Sequence, residues 1–400
     1  MRRLLFIASL LLFSTSVFAY DIEVKNSDGI TIYYNYINNK SELEVTKKDE
    51  YNNSYKGDVI IPESVTYMDN TYKVTCIGSE AFWQCKDLKS ITIPKSVTTI
   101  KKRAFCLCTS LTAFTIPNSV TTIGEKAFNS CNKLTSIVIP NNVTSIGDFA
   151  FESCKKLSSV TFGNGLVSIG ESAFDKSGLT TVTIPDNVTS IGDLAFANCK
   201  SLISITLPNK LKEINTMLCT NCVSLPSVVI PNSVKTIGIA AFSSCTNLTS
   251  VKMPNGLKKI CTSAFQKCKS LTTITIPSSV DYIESNVFEY TDLSIVISEI
   301  LEPFDIFGYS SISRAFSQPT FNNATLYVPS GTIEKYKAKE GWKDFLNIKE
   351  GLPSTSIDNA IINRVDNSCI YNLNGQCMGS SFEGLPKGIY IRGGKKQVVN

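Results

Sequence analysis

Histidine is absent from this sequence of 400 residues, and its absence removes several kinds of function from consideration. Ser–His and Cys–His catalysis, histidine metal sites and histidine pH switches all need an imidazole. Charge is also sparse, because Asp, Glu, Lys and Arg make up 18% of the residues, against a usual share of about 25%. The net charge of +5 is spread along the chain, whereas nucleic-acid binding concentrates basic residues in one stripe. We therefore expect no nucleic-acid partner.

The patterns that accompany enzyme active sites are missing as well. No glycine-rich phosphate-binding loop is present. Glycoside hydrolysis needs two carboxylates aimed into one cleft, and the recurring acids Glu125, Asp148, Glu171 and Asp193 fall in predicted turns instead of strands. We expect no catalytic residue, no cofactor and no metal site, so the chain is predicted not to be an enzyme.

Long apolar runs are confined to the N-terminus. Arg2 and Arg3 precede an apolar stretch from Leu4 to Phe13, and Val17-Phe18-Ala19 ends in a small residue. This order predicts a secretory signal peptide cleaved after Ala19, because the apolar stretch is too short for a transmembrane helix. We expect an exported protein, on the cell surface or outside the cell, with the periplasm left open and no transmembrane segment in the mature chain.

What the sequence does contain is a repeated phrase. LTAFTIPNSVTTIGEKAFNSC (111–131) returns as LTSIVIPNNVTSIGDFAFESC (134–154), a step of 23 residues. Ala-Phe pairs recur at 81–82, 104–105, 127–128, 150–151, 173–174, 195–196, 241–242 and 264–265, and prolines recur at 94, 117, 140, 185, 208, 231, 254 and 277. A fixed period of this length predicts a solenoid, in which each coil packs only against its neighbours.

One copy of the phrase can be assigned position by position. Ile137 and Ile139 point to one side of a strand while Ser136 and Val138 point to the other. Pro140 closes the strand, since proline cannot donate to a ladder. Val143 and Ile146 then face the core on a second extended piece, Gly147 turns the chain, and Ala150-Phe151 sits on a short helical or 3₁₀ turn. Stacked copies pair their strands in parallel.

The chain divides into five predicted parts: a signal peptide (1–19), an N-terminal β cap (20–64), the 23-residue repeats (65–290), a C-terminal cap (291–350) and a small β tail that is a possible sorting module (351–400). Residues 289–320 carry no clear repeat phrase and are expected to be irregular. An amphipathic helix from about Thr332 to Lys339 is expected to help cover the last coil, together with Trp342.

The phrase L-x-S-I-x-I-P-x-S-V-x-x-I-G-x-x-A-F-x-x-C resembles the BspA-like leucine-rich repeats of Bacteroidetes surface proteins and of some parasitic protists, over residues 58–290. The ending at 324–345 looks like the terminal cap of such proteins. The segment from Ile370 to Ile391 is similar to C-terminal modules of exported Bacteroidetes proteins, some of which are sorting signals of the Por (type IX) system. The resemblance implies a right-handed leucine-rich-repeat solenoid used for adhesion or other protein binding, without catalytic residues.

Eight of the 14 cysteines fall three residues after the phenylalanine position: Cys85, Cys108, Cys131, Cys154, Cys199, Cys222, Cys245 and Cys268. The favoured interpretation is a structural ladder of buried thiols, one in each coil. Disulfides between neighbouring coils are the alternative, since strand spacing lies within disulfide range in an exported protein. Stacked side chains point in the same direction, however, and this orientation suits the Cβ–S–S–Cβ torsion angle of a disulfide poorly.

Three further cysteine pairs have spacings that suggest chemistry. Cys219 and Cys222 have the C-x-x-C spacing of redox and zinc sites, but Cys219 occupies the phenylalanine position and no second pair completes four ligands. We likewise interpret Cys106 and Cys108 as structural residues and not as a redox or zinc site. Cys369 and Cys377 flank a predicted turn in the tail and are candidates for a disulfide bridge across a hairpin.

The outward positions of the first strand form two columns, which are a candidate binding face. Their members include Ser90, Thr92, Thr115, Ser136, Val138, Ser159, Thr161, Thr181, Thr183, Ser204, Thr206, Lys252 and Thr275. One interpretation is β-propensity and solubility alone, because threonine suits a half-exposed strand. The other is a flat hydroxyl surface that binds a protein or a glycan. The columns show no aromatic hot spot.

A looser basic patch comprises Lys210, Lys212, Lys235, Lys258, Lys259, Lys267 and Lys269. It is either an ordinary solvated surface or a site that attracts an acidic glycan or an acidic protein. The favoured function is an exported, non-enzymatic binding or adhesion protein whose partner is a host matrix or envelope protein. The alternatives are a structural protein of the envelope and a glycan-binding accessory protein.

Overall fold

The structure is a computed structural model that describes residues 20–49, 55–306 and 314–351, together with the backbone of 370–372, 388–392 and 395–399. The predicted signal peptide with its cleavage after Ala19 lies outside the described residues, as do Cys369 and Cys377. Strands are numbered below in order along the chain.

The first side of nearly every coil is a strand, and these strands pair in parallel within four successive groups; we call the whole stack ladder I. Alternation of buried isoleucine with exposed serine, threonine or valine explains why these segments extend. Its strands are Gly57–Ile60 (β4), Leu88–Thr92 (β7), Ser136–Ile139 (β10), Ser159–Phe162 (β12), Thr181–Thr183 (β14), Ser204–Thr206 (β16), Ser227–Val229 (β18), Ser250–Lys252 (β20), Thr273–Ile276 (β22), Ile295–Ser298 (β24), Thr325–Val328 (β25) and Asn347–Glu350 (β26).

A second parallel stack, ladder II, follows the turn after each proline. Its strands are Asn70–Ile77 (β6), Thr99–Ile100 (β8), Thr122–Ile123 (β9), Ser145–Ile146 (β11), Ser168–Ile169 (β13), Ser190–Ile191 (β15), Glu213–Ile214 (β17), Thr236–Ile237 (β19), Lys259–Ile260 (β21) and Tyr282–Ile283 (β23). Stacked glycines permit its close packing, because a Cβ on Gly147 would lie 2.6 Å from the backbone of Gly124 and Glu125.

The third side of the coil consists of hydrogen-bonded turns that carry the Ala-Phe pair. The amides of Lys126, Phe128 and Ser130 donate to the carbonyls of the next coil at 2.8 Å each. Amides of Ala127, Asn129 and Cys131 instead close turns to carbonyls three residues earlier. Lys126 and Ser130 have φ of 56° and 60°, and corresponding residues of the other coils share this left-handed conformation. The side therefore has the hydrogen-bond spacing of a 3₁₀ turn without a continuous helix.

Phenylalanine rings fill the interior in one column. Phe128, Phe151 and Phe174 lie with centroids 5.2 Å apart and nearly parallel planes. The column is interrupted where Cys219 takes the phenylalanine position and resumes at Phe242, 5.6 Å from Phe265. The core is continuous along the stack, as expected for a solenoid whose coils bury their apolar side against each other.

The N-terminal cap is an antiparallel meander of Ile22–Lys25 (β1), Thr31–Ile37 (β2) and Glu42–Thr46 (β3). Strand β3 pairs in parallel with β6, so the cap extends ladder II and covers its first edge. Ser64–Tyr67 (β5) forms a hairpin with β6. Strand β4, inside the range assigned to the cap, already pairs in parallel with β7 of ladder I.

The C-terminal cap contains more repeat structure than its sequence indicates. Residues 289–320 were expected to be irregular, which is wrong in part, because β24 pairs with β22 and extends ladder I. Phe316 stacks on Phe288 with centroids 5.0 Å apart and so continues the phenylalanine column. Helix α1 (Gln318–Asn323) and helix α2 (Ile333–Lys337) then close the end. The second helix is shorter than predicted.

Two large aromatic side chains seal this cap. Tyr336 and Trp342 are fully buried, and the Trp342 indole donates to the Phe304 carbonyl at 2.9 Å. In the tail, Ile370–Asn372 (β27), Gly388–Arg392 (β28) and Lys395–Val399 (β29) form an antiparallel sheet.

Candidate recognition surfaces

The outer face of ladder I is built by the alternation within each strand. In β10 the side chains of Ile137 and Ile139 are 2% and 1% exposed, whereas Val138 is 62% exposed and Ser136 is also exposed. Proline ends the strand and leaves the following turn polar. The face therefore presents most of its outward side chains to solvent on a hydrogen-bonded backbone.

Parallel pairing aligns these outward side chains from coil to coil. Ser136 pairs with Ser159 and Val138 with Thr161, and the same register joins Thr183 to Thr206. Of the predicted face, the exposed residues are Thr92, Thr115, Ser136, Val138, Ser159, Thr161, Thr181, Thr183, Ser204, Thr206 and Lys252, while Ser90 and Thr275 are half-buried. Thr115 lies in the one copy of the phrase that forms no ladder I strand between β4 and β26.

The face has a defined end and two apolar interruptions. Thr275 pairs with Ile297 of β24, and Ile297 is only 7% exposed, so the open surface stops before that strand. Within it, Val138 and Val229 are 62% and 61% exposed among hydroxyl side chains. A surface of this kind offers hydrogen-bonding groups at regular spacing, with apolar contact at two places.

The cysteines after the phenylalanine position form a buried ladder of a particular kind. All twelve described cysteines are unbridged and buried. From the second ladder cysteine onward, each thiol donates to the carbonyl of the phenylalanine position one coil earlier, at 3.0–3.3 Å: Cys108 to Phe82, Cys131 to Phe105, Cys154 to Phe128, Cys199 to Phe174, Cys222 to Phe196, Cys245 to Cys219 and Cys268 to Phe242. The Cys85 thiol, in the first coil, instead hydrogen-bonds to the backbone of Tyr55, whose ring lies 4.5 Å from that of Phe82.

Burial makes these thiols poor nucleophiles. Desolvation raises the pKa of Cys85 to about 11 and the pKa of Cys154 and Cys268 to about 12. A thiol is reactive as its thiolate, which is scarce at neutral pH when the pKa is so high. In the described part of the chain, no three Cys, Asp or Glu side chains are arranged to hold a metal ion.

A polar network on the turn side was not anticipated from the sequence. The Asn129 amide donates to Glu152 at 2.8 Å, Lys176 bridges Glu152 and Asp175, and the Asn198 amide donates to Asp175 at 2.8 Å. In each coil these side chains occupy one of two adjacent positions of the repeat. Polar residues that recur there from coil to coil were therefore the sequence signal that could have predicted the network. The network ties four coils together at their surface.

The predicted lysine alignment is present on the outer side of ladder II. The amide of Lys235 donates to the carbonyl of Lys212, and the amide of Lys258 to that of Lys235, both at 2.8 Å. All three side chains are exposed. Lys267 and Lys269 lie on the turn side of the coil and are not part of this column.

The repeat unit matches a known family model. The model of the BspA type leucine rich repeat region covers residues 48–179 and 167–294, which is more than half of the chain. The chain belongs to the BspA-type leucine-rich repeat family. The resemblance and the solenoid fold predicted from the repeat phrase are thereby confirmed.

Solved structures of similar leucine-rich repeat chains come from several bacteria. A leucine-rich repeat protein from Bacteroides ovatus is 29% identical, with a TM-score of 0.58, over 80% of this chain and 75% of that one. A leucine rich cell surface protein from Faecalibacterium prausnitzii is 24% identical, with a TM-score of 0.46, over 84% of this chain and 97% of that one. Among proteins with curated descriptions, none matches the chain.

The leucine-rich repeat architecture accounts for most of the residues of each coil. Leucine, isoleucine, valine, alanine, phenylalanine and cysteine positions are buried, which leaves the outward strand positions and the turns for contact with other molecules. None of the helices in the described residues has the length and apolarity to span a bilayer.

Proposed function

We propose that this leucine-rich repeat chain is an exported, non-enzymatic protein that binds a macromolecular partner through the outer face of ladder I. The partner is a protein of the host matrix or of the cell envelope, and the site of action is the cell surface or its surroundings. The signal-like N-terminus supports export, and the repeat family supports a role in binding.

One observation carries the proposal: Val138 and Val229 are more than half exposed on a face that displays mostly hydroxyl groups, with Lys252 beside Val229. Aliphatic contacts surrounded by polar groups suit a protein interface, since binding energy comes from a few desolvated side chains within a polar rim. The rigid ladder limits the entropy that the face loses on binding, because its backbone is already ordered.

The test compares the mature chain with the double variant Val138→Asp/Val229→Asp on a panel of purified extracellular matrix proteins and envelope proteins. Buried charge at an interface is costly, so the double variant is expected to weaken binding at least about tenfold. Val167→Asp is the control, because Val167 is 46% exposed and directly precedes strand β13 of ladder II, away from ladder I. Equal binding by the parent chain and the double variant would contradict the proposed face.

A second candidate function is that of a structural spacer of the envelope, with the tail directing export or anchoring. The separate antiparallel sheet of β27, β28 and β29 favours it, because this sheet continues neither ladder. Deleting residues 352–400 tests this function by fractionation of cells. Loss of surface location, together with no partner bound by the full mature chain, would favour the spacer over the binding protein.

A further inference from the structure

Three consecutive coils carry a concentration of lysine at the corner between the two ladders. We call the segments 204–214, 227–237 and 250–260 the basic corner. Their lysines are Lys210, Lys212, Lys235, Lys252, Lys258 and Lys259, and their one carboxylate is Glu213. These six lysines and one glutamate give the corner a net charge of +5, equal to that of the entire chain.

The central lysines are stacked by the backbone itself. Because Lys212, Lys235 and Lys258 are joined by successive amide-to-carbonyl bonds of 2.8 Å, their side chains leave the surface about 4.8 Å apart. Like charges directly opposite each other on neighbouring strands are unfavourable. A ligand with negative groups along the stack would relieve this repulsion.

Among the described residues, ion pairs neutralise lysines only at the C-terminal edge of the corner. Lys258 pairs with Asp281 at 3.3 Å and Lys259 with Glu284 at 2.7 Å, and both acids belong to the next coil. Lys235 instead donates to the Gly256 carbonyl at 3.1 Å.

The remaining lysines have no acidic partner in the described residues. Lys210 contacts the Asn187 side chain at 3.3 Å, and no carboxylate lies within ion-pair distance of Lys210, Lys212, Lys235 or Lys252 there. Asp186, in the coil before, binds the amide of Asn209. The corner therefore keeps uncompensated positive charge.

Its chemistry favours one class of polyanion. The three segments contain no aromatic residue, so they offer neither the aromatic anchors of a protein interface nor the stacking surfaces used for single-stranded nucleic acid. They offer ammonium groups beside exposed amides, Asn232 and Asn255, which suit carboxylate or sulfate groups together with hydroxyl groups. Because Lys212, Lys235 and Lys258 recur from coil to coil, the array also matches an extended polymer better than a compact ion.

We propose that the basic corner binds an extended anionic polysaccharide whose carboxylate or sulfate groups recur along its length. The column of Lys212, Lys235 and Lys258 lies beside ladder II, whereas Val138 and Val229 lie on ladder I, so the column can be tested independently of the protein-binding proposal. Binding is electrostatic in origin, so it weakens as ionic strength rises.

The test measures binding of the full mature chain to heparin, as a sulfated probe, and to polygalacturonate, as a carboxylated probe, with neutral dextran for comparison. The triple variant Lys212→Gln/Lys235→Gln/Lys258→Gln removes the column. The charge-matched control is Lys133→Gln/Lys155→Gln/Lys156→Gln, whose three lysines are exposed in other coils. We expect the column variant to bind at least about tenfold more weakly, a change of about 1.4 kcal/mol, and the control to bind nearly as the parent does.

Three outcomes would overturn the proposal. The first is that the parent binds neither polyanion more tightly than dextran. The second is equal weakening by the column variant and by its control, which would assign binding to net charge. The third is tighter, column-dependent binding of polyglutamate or duplex DNA, which would assign the corner to an acidic protein or to nucleic acid. Binding of one probe but not the other would support the proposal and tell sulfate from carboxylate recognition.

Discussion

The thiol of Cys154 donates a hydrogen bond to the backbone carbonyl of Phe128, 3.1 Å away and 26 residues earlier in the chain. The same carbonyl accepts the amide of Cys131 at 3.1 Å within its own coil. One oxygen thus closes a turn and receives a side chain from the next coil. Since the pattern recurs along the stack, cysteine here joins neighbouring coils without a disulfide.

The first prediction concerns this bond. Cys154→Ser keeps a donor of similar size, whereas Cys154→Ala removes the donor and leaves a small cavity. We expect the alanine variant to lose about 1–2 kcal/mol of unfolding free energy, and the serine variant less than about 1 kcal/mol. Ser177 occupies the cysteine position of its own coil and is buried with its hydroxyl 3.2 Å from the Cys199 thiol, so a hydroxyl is accommodated at this position.

Urea unfolding of both variants measures the difference. The control is Cys261→Ala, since Cys261 takes the glycine position of its coil and its thiol is not part of the ladder. We expect that variant to lose less unfolding free energy than Cys154→Ala, because Cys261 is 8% exposed whereas Cys154 is fully buried. If serine and alanine at position 154 are equally destabilising, the thiol bond contributes nothing measurable.

The second prediction is a loss of stability at alkaline pH. Burial raises the pKa of Cys154 to about 12, above the value of about 8.5 for an exposed thiol. The folded chain therefore retains a proton that the unfolded chain releases. The resulting stabilisation is complete below pH of about 8.5 and is lost as pH rises toward about 12, at about 1.4 kcal/mol per pH unit.

Urea midpoints at pH 8 and pH 10 test this linkage. Cys154→Ser has no thiol to titrate at this position, so its loss of unfolding free energy between the two pH values should be about 2 kcal/mol smaller than that of the parent. Identical pH dependence of the two proteins would show that the Cys154 thiol is not protected in the folded state.

The third prediction concerns the C-terminal cap. Trp342 is fully buried, and its ring lies 6.0 Å from Phe316, the last ring of the phenylalanine column. We expect Trp342→Ala to lower the free energy of unfolding of the C-terminal coils by about 3–5 kcal/mol, because it leaves a large cavity over the end of the stack. Coils of a solenoid contact only their neighbours, so the damage should be confined to that end.

Hydrogen exchange resolves where the protection is lost. Amides of β22 to β26 should exchange faster in the variant, while those of β10 to β16 stay as protected as in the parent. Leu346→Ala is the matched control, since Leu346 is 72% exposed beside the cap. Uniform loss of protection along all coils would instead mean that the solenoid unfolds as one unit.

Much of the scaffold could be read from the sequence because its rules are local. The alternation around Ile137 and Ile139 determines a strand with one buried side, and a fixed step of 23 residues places equivalent side chains in register. The 23-residue step also predicted the lysine column, because Lys212, Lys235 and Lys258 occupy equivalent positions in successive coils. Strand β24 was missed because Ile295–Ser298 lacks the following proline and glycine of the phrase, although its backbone pairs like the others.

By itself, the sequence determined that this protein is a stack of similar coils with phenylalanine inside and hydroxyl groups outside. Only the tertiary structure decided what the cysteines do, because the acceptor of each thiol belongs to a neighbouring coil and depends on the offset between coils. It also decided which lysines remain uncompensated, since Lys258 meets Asp281 across the stack while Lys212 meets no acid in the described residues. Such relationships depend on distances between coils, which the order of residues does not contain.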